Sequence, residues 1–190
     1  MHKTTLPTLA AALTAFVLLV AGPSSADAAL RLGVDGIWIP AASTHVEARD
    51  ANLDTDHGFG SFGAAAHGYL GPEIFSAGLK LNYFNEGMQV SGAANERRNE
   101  FDVNAAVRVG IPKIGLAFYG EAGPSFSTDY DGFGWNAGIG GEYMFNLGPS
   151  FQLGPGIEGQ YVKLPALING SSTDHEIGRL MVTLNFDFSV

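Results

Sequence analysis

The chain has 190 residues and a formal net charge of -9, with 26 Gly, 13 Phe, 6 Tyr, 2 Trp and no Cys. An acidic chain of one-domain length is a poor match for nucleic acid, whose phosphates are held by a surplus of Lys and Arg. The lack of Cys excludes disulfide scaffolds, thiolate metal sites, Cys nucleophiles and a lipid-modified N-terminal Cys.

In chain order, residues 1–28 read as a secretory signal peptide. Lys3 supplies the positive start, Leu9 to Ala21 form the apolar run, Pro23-Ser24-Ser25 breaks it, and Ala26-Asp27-Ala28 is a small-x-small cleavage site. The mature domain is expected to span 29–190. The apolar run is shorter than the about 18 residues of a membrane-spanning helix, and no later segment approaches one. Membrane residence would then require a closed barrel, the other structure that satisfies every backbone group in lipid.

After Ala29 the dominant signal is alternation with period two, broken at Pro, Gly and Asp/Asn clusters. Eight segments show it: Leu30 to Ile39, Phe59 to Leu70, Ile74 to Phe84, Phe101 to Ile111, Ile114 to Phe126, Phe133 to Phe145, Phe151 to Val162, and a last one over 179–190. In the fourth, Phe101, Val103, Ala105, Val107, Val109 and Ile111 face away from Asp102, Asn104, Ala106, Arg108 and Gly110. In the eighth, Leu180, Val182, Leu184, Phe186, Phe188 and Val190 oppose Arg179, Met181, Thr183, Asn185, Asp187 and Ser189. Their lengths suit the about 9 to 11 tilted residues with which a strand crosses a bilayer.

The connections alternate as well. Tight turns fall at Gly71-Pro72-Glu73, Pro112-Lys113 and Asn146-Leu147-Gly148-Pro149, and longer polar loops at about 40–57, 85–99, 127–132 and 163–175. The pattern predicts an all-β fold, an eight-stranded antiparallel up-and-down transmembrane β-barrel.

Charges test the prediction, because a Lys or Arg at the midplane of the lipid face costs about 2 to 4 kcal/mol. Arg31, Asp35, Lys80, Asp102, Arg108, Glu121, Glu142, Glu158, Arg179 and Asp187 all fall in the inward register. Glu73 and Lys113 fall in turns, and the other charges of the mature chain, including Glu86, Arg98 and Glu100, are assigned to loops, where most of the negative surplus sits. Aromatic residues mark both strand ends. Trp38, Tyr83, Phe101, Trp135 and Tyr161 lie toward the loops, and Phe75, Phe145, Phe151 and Phe188 toward the turns, as two interfacial girdles do.

With strand count, loop and turn alternation and the aromatic strand ending Phe186-Asp187-Phe188, residues 29–190 resemble the small eight-stranded outer-membrane β-barrels of Gram-negative bacteria, the OmpA-like and OmpX-like barrel group. One departure is the ending Phe188-Ser189-Val190, where family members usually finish on Phe or Trp. The resemblance implies location in the cell outer membrane, insertion by the barrel-assembly machinery, a monomer, and contact with outer-membrane lipid and lipopolysaccharide with divalent cations as bridges.

Eight strands enclose a lumen that side chains can fill. The inward charges are expected to form a neutralising polar network rather than a gated ion path, with Lys80 near Asp102, Glu158 near Arg179 and Arg31 near Asp187. No cofactor is implied. Asp54-Thr55-Asp56 and Asp129-Tyr130-Asp131-Gly132 offer oxygen ligands of the Ca²⁺ or Mg²⁺ type, although acidic loops are ordinarily just solvated. Catalysis is not expected. His45, His57 and His175 with Ser43, Ser171 or Ser172 and Asp174 or Glu176 have the residue types of a Ser/His/acid set, but no nucleophile sits in a Gly-framed turn. His67 reads as a satisfied lumen residue. Gly154 to Gly159 spells G-x-G-x-x-G without a following helix, so it reads as coincidence. The expected function is that of an integral outer-membrane barrel with a structural, envelope-integrity or surface-interaction role, and the alternatives are a lipid A-modifying barrel enzyme and a secreted, lipocalin-like binder of an apolar ligand.

Overall fold

A computed structural model of the chain describes residues 29–48, 51–56, 60–88, 96–128, 133–168 and 171–190. The signal peptide, His57 and the Asp129-Tyr130-Asp131-Gly132 motif lie outside the described residues. Eight strands form the wall: β1 (Ala29–Ala48), β2 (Ser61–Gly71), β3 (Phe75–Met88), β4 (Glu96–Ile111), β5 (Leu116–Ser127), β6 (Phe133–Tyr143), β7 (Phe151–Ile168) and β8 (Ser171–Ser189). Each pairs antiparallel with its sequence neighbour, and β8 returns to β1, with Leu32 opposite Phe188 and Gly36 opposite Leu184. The sheet is closed and has no open edge in its wall.

Alternation then sorts the side chains. Leu32, Val34, Leu81, Val107, Phe118, Ile157 and Leu184 are exposed on the outer wall, and all ten charges assigned to the inward register are buried. An apolar outside and a charged inside invert the usual arrangement of a soluble domain, and only a lipid surround stabilises it.

The turn side follows from local chemistry. Pro112 opens a single 3-10 turn, Pro112–Ile114, closed by Gly115 in the left-handed region at φ 69. Gly71 at φ 139 begins the turn before β3. The ladder between β6 and β7 lapses at Tyr143 and Met144, where the register sets Tyr143 across from Pro155, which has no N–H to donate, and resumes at Phe145–Asn146.

The loop side differs from the sequence-based expectation. Much of 40–57, 85–99 and 163–175 is strand: β1 runs 20 residues, β7 18 and β8 19, and Ala51–Asp56 folds back on the outer end of β1. Above the hydrocarbon there is no oily face to keep, so the hairpins continue with polar residues on both faces and the alternation that marks a strand disappears. On the β1–β8 seam the register shifts between Trp38 and Ala41, a bulge that includes Pro40, so residues 37 and 39 face inward below it and Thr44 above it.

Candidate functional site

The lumen is built in layers. At the loop side, Arg179 of β8 donates from Nη1 to Glu100 Oε1 at 2.8 Å and from Nη2 to Glu100 Oε2 at 2.7 Å. Its Nε donates to Glu86, which also receives Arg98. This two-pronged fit to a carboxylate is the geometry a planar guanidinium supplies and an ammonium does not. Arg179 also lies over the Phe84 ring, 4.5 Å from its centroid, and its Nη1 reaches Gln160 Oε1 at 2.8 Å.

The middle layer centres on Lys80 of β3. Its Nζ is 2.7 Å from Glu158 Oε2 and 3.0 Å from Glu121 Oε2, and the Tyr119 hydroxyl donates to Glu158 Oε2 at 2.8 Å. Asn82 and Asn104 both donate to Glu121 Oε1, at 2.8 and 2.7 Å. Gln160 donates to Asp102 Oδ2 at 2.8 Å and to Asn136 Oδ1 at 3.2 Å, and Asn136 donates to Asn104 Oδ1 at 2.9 Å, which ties this layer to the one above.

Toward the turns, Arg31 Nε lies 3.6 Å from Asp187 Oδ2 and Arg108 Nε 2.6 Å from Glu142 Oε1. His67 sits between two carboxylates, Nδ1 3.3 Å from Asp35 Oδ2 and Nε2 2.8 Å from Asp187 Oδ1.

Two of the expected pairings are corrected. Lys80 does not meet Asp102, because its neighbour across β3–β4 is Asn104 while Asp102 stands opposite Asn82, and its ammonium crosses the lumen to β5 and β7. Glu158 does not meet Arg179, because the β7–β8 register sets Glu158 opposite Met181 and Arg179 opposite Gln160. In so narrow a barrel a long side chain reaches strands that are not its hydrogen-bonded neighbours. Glu86, Arg98 and Glu100, assigned to a loop, are buried in the lumen. Their even numbering matches Lys80 and Asn82 on one strand and Asp102 and Asn104 on the next, a phase that could have identified them.

The lumen is also less uniformly polar than the inward register suggested. Ile37, Ile39, Ala65, Phe84 and Met181 form one buried apolar cluster, and Val162, Leu164 and Ile177 another. In the first of them the Phe84 ring lies against the Arg179 guanidinium.

The aromatics of both proposed girdles lie on the outer face. Trp38, Phe101, Trp135 and Tyr161 are exposed there and Tyr83 half-exposed; on the other rim Phe75, Phe145 and Phe188 are exposed and Phe151 half-exposed. Tyr83 packs on Phe101 at 5.0 Å between centroids, Trp135 on Tyr161 at 5.4 Å and Phe151 on Phe188 at 6.5 Å. Just beyond the loop-side girdle Lys163 donates to Glu176 at 3.2 Å. This bond and one from Tyr161 hold the Glu176 carboxyl below its ordinary range.

His45 stands opposite Glu176 on the outer face two residues from Ser43, whereas His175 is buried in the lumen phase, so these histidines do not share a site. The side chains of Asp54, Asp56, Ser171, Ser172 and Asp174 lie outside the described residues. Among the described residues no three metal-ligating side chains cluster. Gly154 to Gly159 lies within β7, in extended chain with no phosphate-binding helix after it.

The family described as outer membrane protein beta-barrel domain matches residues 10–186. No curated protein matches the sequence. The chain is similar in fold to the outer membrane protein AlkL, solved in lipid bilayers by solid-state NMR, at 12% identity and TM-score 0.57 over 89% of this chain and 94% of that one. Further matches are OprG from Pseudomonas aeruginosa, at 11% identity and TM-score 0.46 over 86% and 95%, and the attachment invasion locus protein of Yersinia pestis, at 14% and 0.43 over 85% and 97%.

Proposed function

The chain belongs to the outer membrane protein beta-barrel domain family and resides in the outer membrane, and from that premise we propose that it serves the envelope as a structural and surface-contact element rather than as a diffusion pore or an enzyme. The observation that carries this reading is the knot of Arg179, Glu86, Glu100 and Arg98, whose charged groups fill the loop-side lumen with the Lys80 layer stacked beneath. Opening a path would break several buried ion pairs at once, each of which leaves uncompensated charge behind.

The partners of this role are outer-membrane lipid and lipopolysaccharide, with divalent cations bridging acidic loops to lipid phosphates. The barrel-assembly machinery reads the aromatic strand β8 during insertion, residues 1–28 are removed on export, and the barrel acts as a monomer. No chemistry is assigned to it.

A strain lacking the protein tests the role. It is expected to become sensitive to detergent and to chelation of divalent cations, with resistance restored by the wild-type chain and with the mass of lipid A unchanged. A changed lipid A mass would instead favour the lipid-modifying enzyme, and unaltered resistance would contradict the envelope role.

A further inference from the structure

We propose that a groove in the outer wall of β1, β8, β7 and β6 holds one phosphorylated, acylated glycolipid of the outer leaflet; the inference rests on the lipid partner named under Proposed function and specifies where it binds.

The loop-side aromatic girdle is interrupted at this place. Tyr161 on β7 and Trp38 on β1 flank β8, which contributes Gly178 opposite Tyr161 and Leu180 opposite Ala41 instead of an aromatic ring. The gap is an open groove of about 710 Å³ on the outer wall. Small residues, among them Ala41, Ala137, Gly159 and Gly178, line it together with the larger Leu180 and Tyr161. Four strands contribute, so it is about 14 Å across, three interstrand spacings.

Barrel packing does not demand glycine there. A Cβ on Gly159 would meet nothing within 4 Å, and one on Gly178 only Ser43 Oγ at 3.6 Å, whereas Cβ atoms on Gly78 and Gly154 would fall 1.8 Å from backbone oxygens. Neither Gly159 nor Gly178 has a positive φ. Their bareness shapes the groove. The Pro40 bulge on β1 completes it by turning Ala41 and Ser43 outward.

The occupant follows from position. The groove opens in the lipid-facing wall at the girdle, where hydrocarbon gives way to headgroups, and it lies on the loop side, in the leaflet of phosphorylated glycolipid. The cross-strand row beyond it is polar: His45 stands opposite Glu176, and Glu176 opposite Lys163. Lys163 is partly exposed beside Glu176. An apolar slot with the Lys163–Glu176 pair at its headgroup end fits an acyl chain below a phosphate that shares the Lys163 ammonium, with a divalent cation joining that phosphate to the Glu176 carboxylate.

Native mass spectrometry of the full barrel in mild detergent tests this, with hexa-acylated lipid A and phosphatidylglycerol added in parallel as probes. Wild type is expected to retain one lipid A, with phosphatidylglycerol retained about ten-fold less. Gly159→Leu and Gly178→Leu, whose side chains have room outward, are expected to reduce lipid A occupancy about ten-fold, and Val107→Leu elsewhere on the wall to leave it unchanged; ten-fold corresponds to about 1.4 kcal/mol. Equal retention of both lipids, or unchanged occupancy in both filled variants, would overturn the proposal. Wild type that retains no lipid A while the deletion strain is detergent-sensitive removes the groove alone; filled variants that lose lipid A while their strains keep full resistance leave the groove standing and remove its envelope role.

Discussion

Arg179 on the last strand and Glu100 on the fourth meet across the lumen through two parallel hydrogen bonds of 2.8 and 2.7 Å, 79 residues apart in sequence. Both are buried, and Arg98 and Glu86 complete a balanced foursome around them. Arg179→Met leaves two carboxylates facing one guanidinium and is expected to cost about 3 to 5 kcal/mol. The heat-modifiable gel shift of the folded barrel should move to lower temperature. Glu100→Gln added to it leaves Arg98 with Glu86 and should recover part of the loss. A double variant no better than the single one would contradict this division of charge.

The Lys80 layer is expected to respond differently to its two donors. Tyr119→Phe deletes one hydrogen bond to Glu158 and keeps the ring under Lys80, so its cost is about 1 to 3 kcal/mol, that of leaving a buried acceptor short of one donor. Lys80→Met leaves Glu121 and Glu158 without their shared cation and should cost about 3 to 5 kcal/mol. The same melt ranks them, and equal losses would show that the ammonium is not the centre of the layer.

Eight segments of alternation make the wall and its charge-free exterior legible in the sequence. The phases of 101–111 and 180–190 put Phe101, Val103, Val107, Val109, Leu180, Val182, Leu184 and Phe188 where the barrel exposes them. The turns at Pro72 and Pro112 were equally legible, because Pro and Gly punctuate the chain through their own dihedral restrictions. Strand ends were not: polar residues beyond the hydrocarbon look like loop whether or not they pair. Partner choice inside the lumen was hidden for another reason. Lys80 finds Glu158 only once the sheet has closed with a particular tilt and stagger, and that is a property of the whole barrel rather than of any hairpin.

Val107 tests the lipid face. It is exposed on the outer wall, opposite Ala77 and Gly120 on the flanking strands. Val107→Lys is expected to cost about 2 to 4 kcal/mol if this position lies near the bilayer midplane, measured by reversible folding into lipid vesicles. A loss well under 1 kcal/mol would place the site in water or at an interface.

Gly115 tests the turn side. Its φ of 69 belongs to the left-handed region, and a Cβ there would lie 2.4 Å from the Met144 carbonyl oxygen. Gly115→Ala is expected to lose about 1 to 2 kcal/mol from conformation alone, with more from the clash, and to slow neither export nor localisation. Full stability in the variant would mean that the turn rearranges freely.

The most direct test of a lumen closed by side chains is ionic conductance of the purified barrel in planar lipid bilayers. The wild-type protein is expected to give no steady open current, and Arg179→Met combined with Lys80→Met to give measurable channel events. Steady conductance from the wild type, unchanged by those substitutions, would contradict the account.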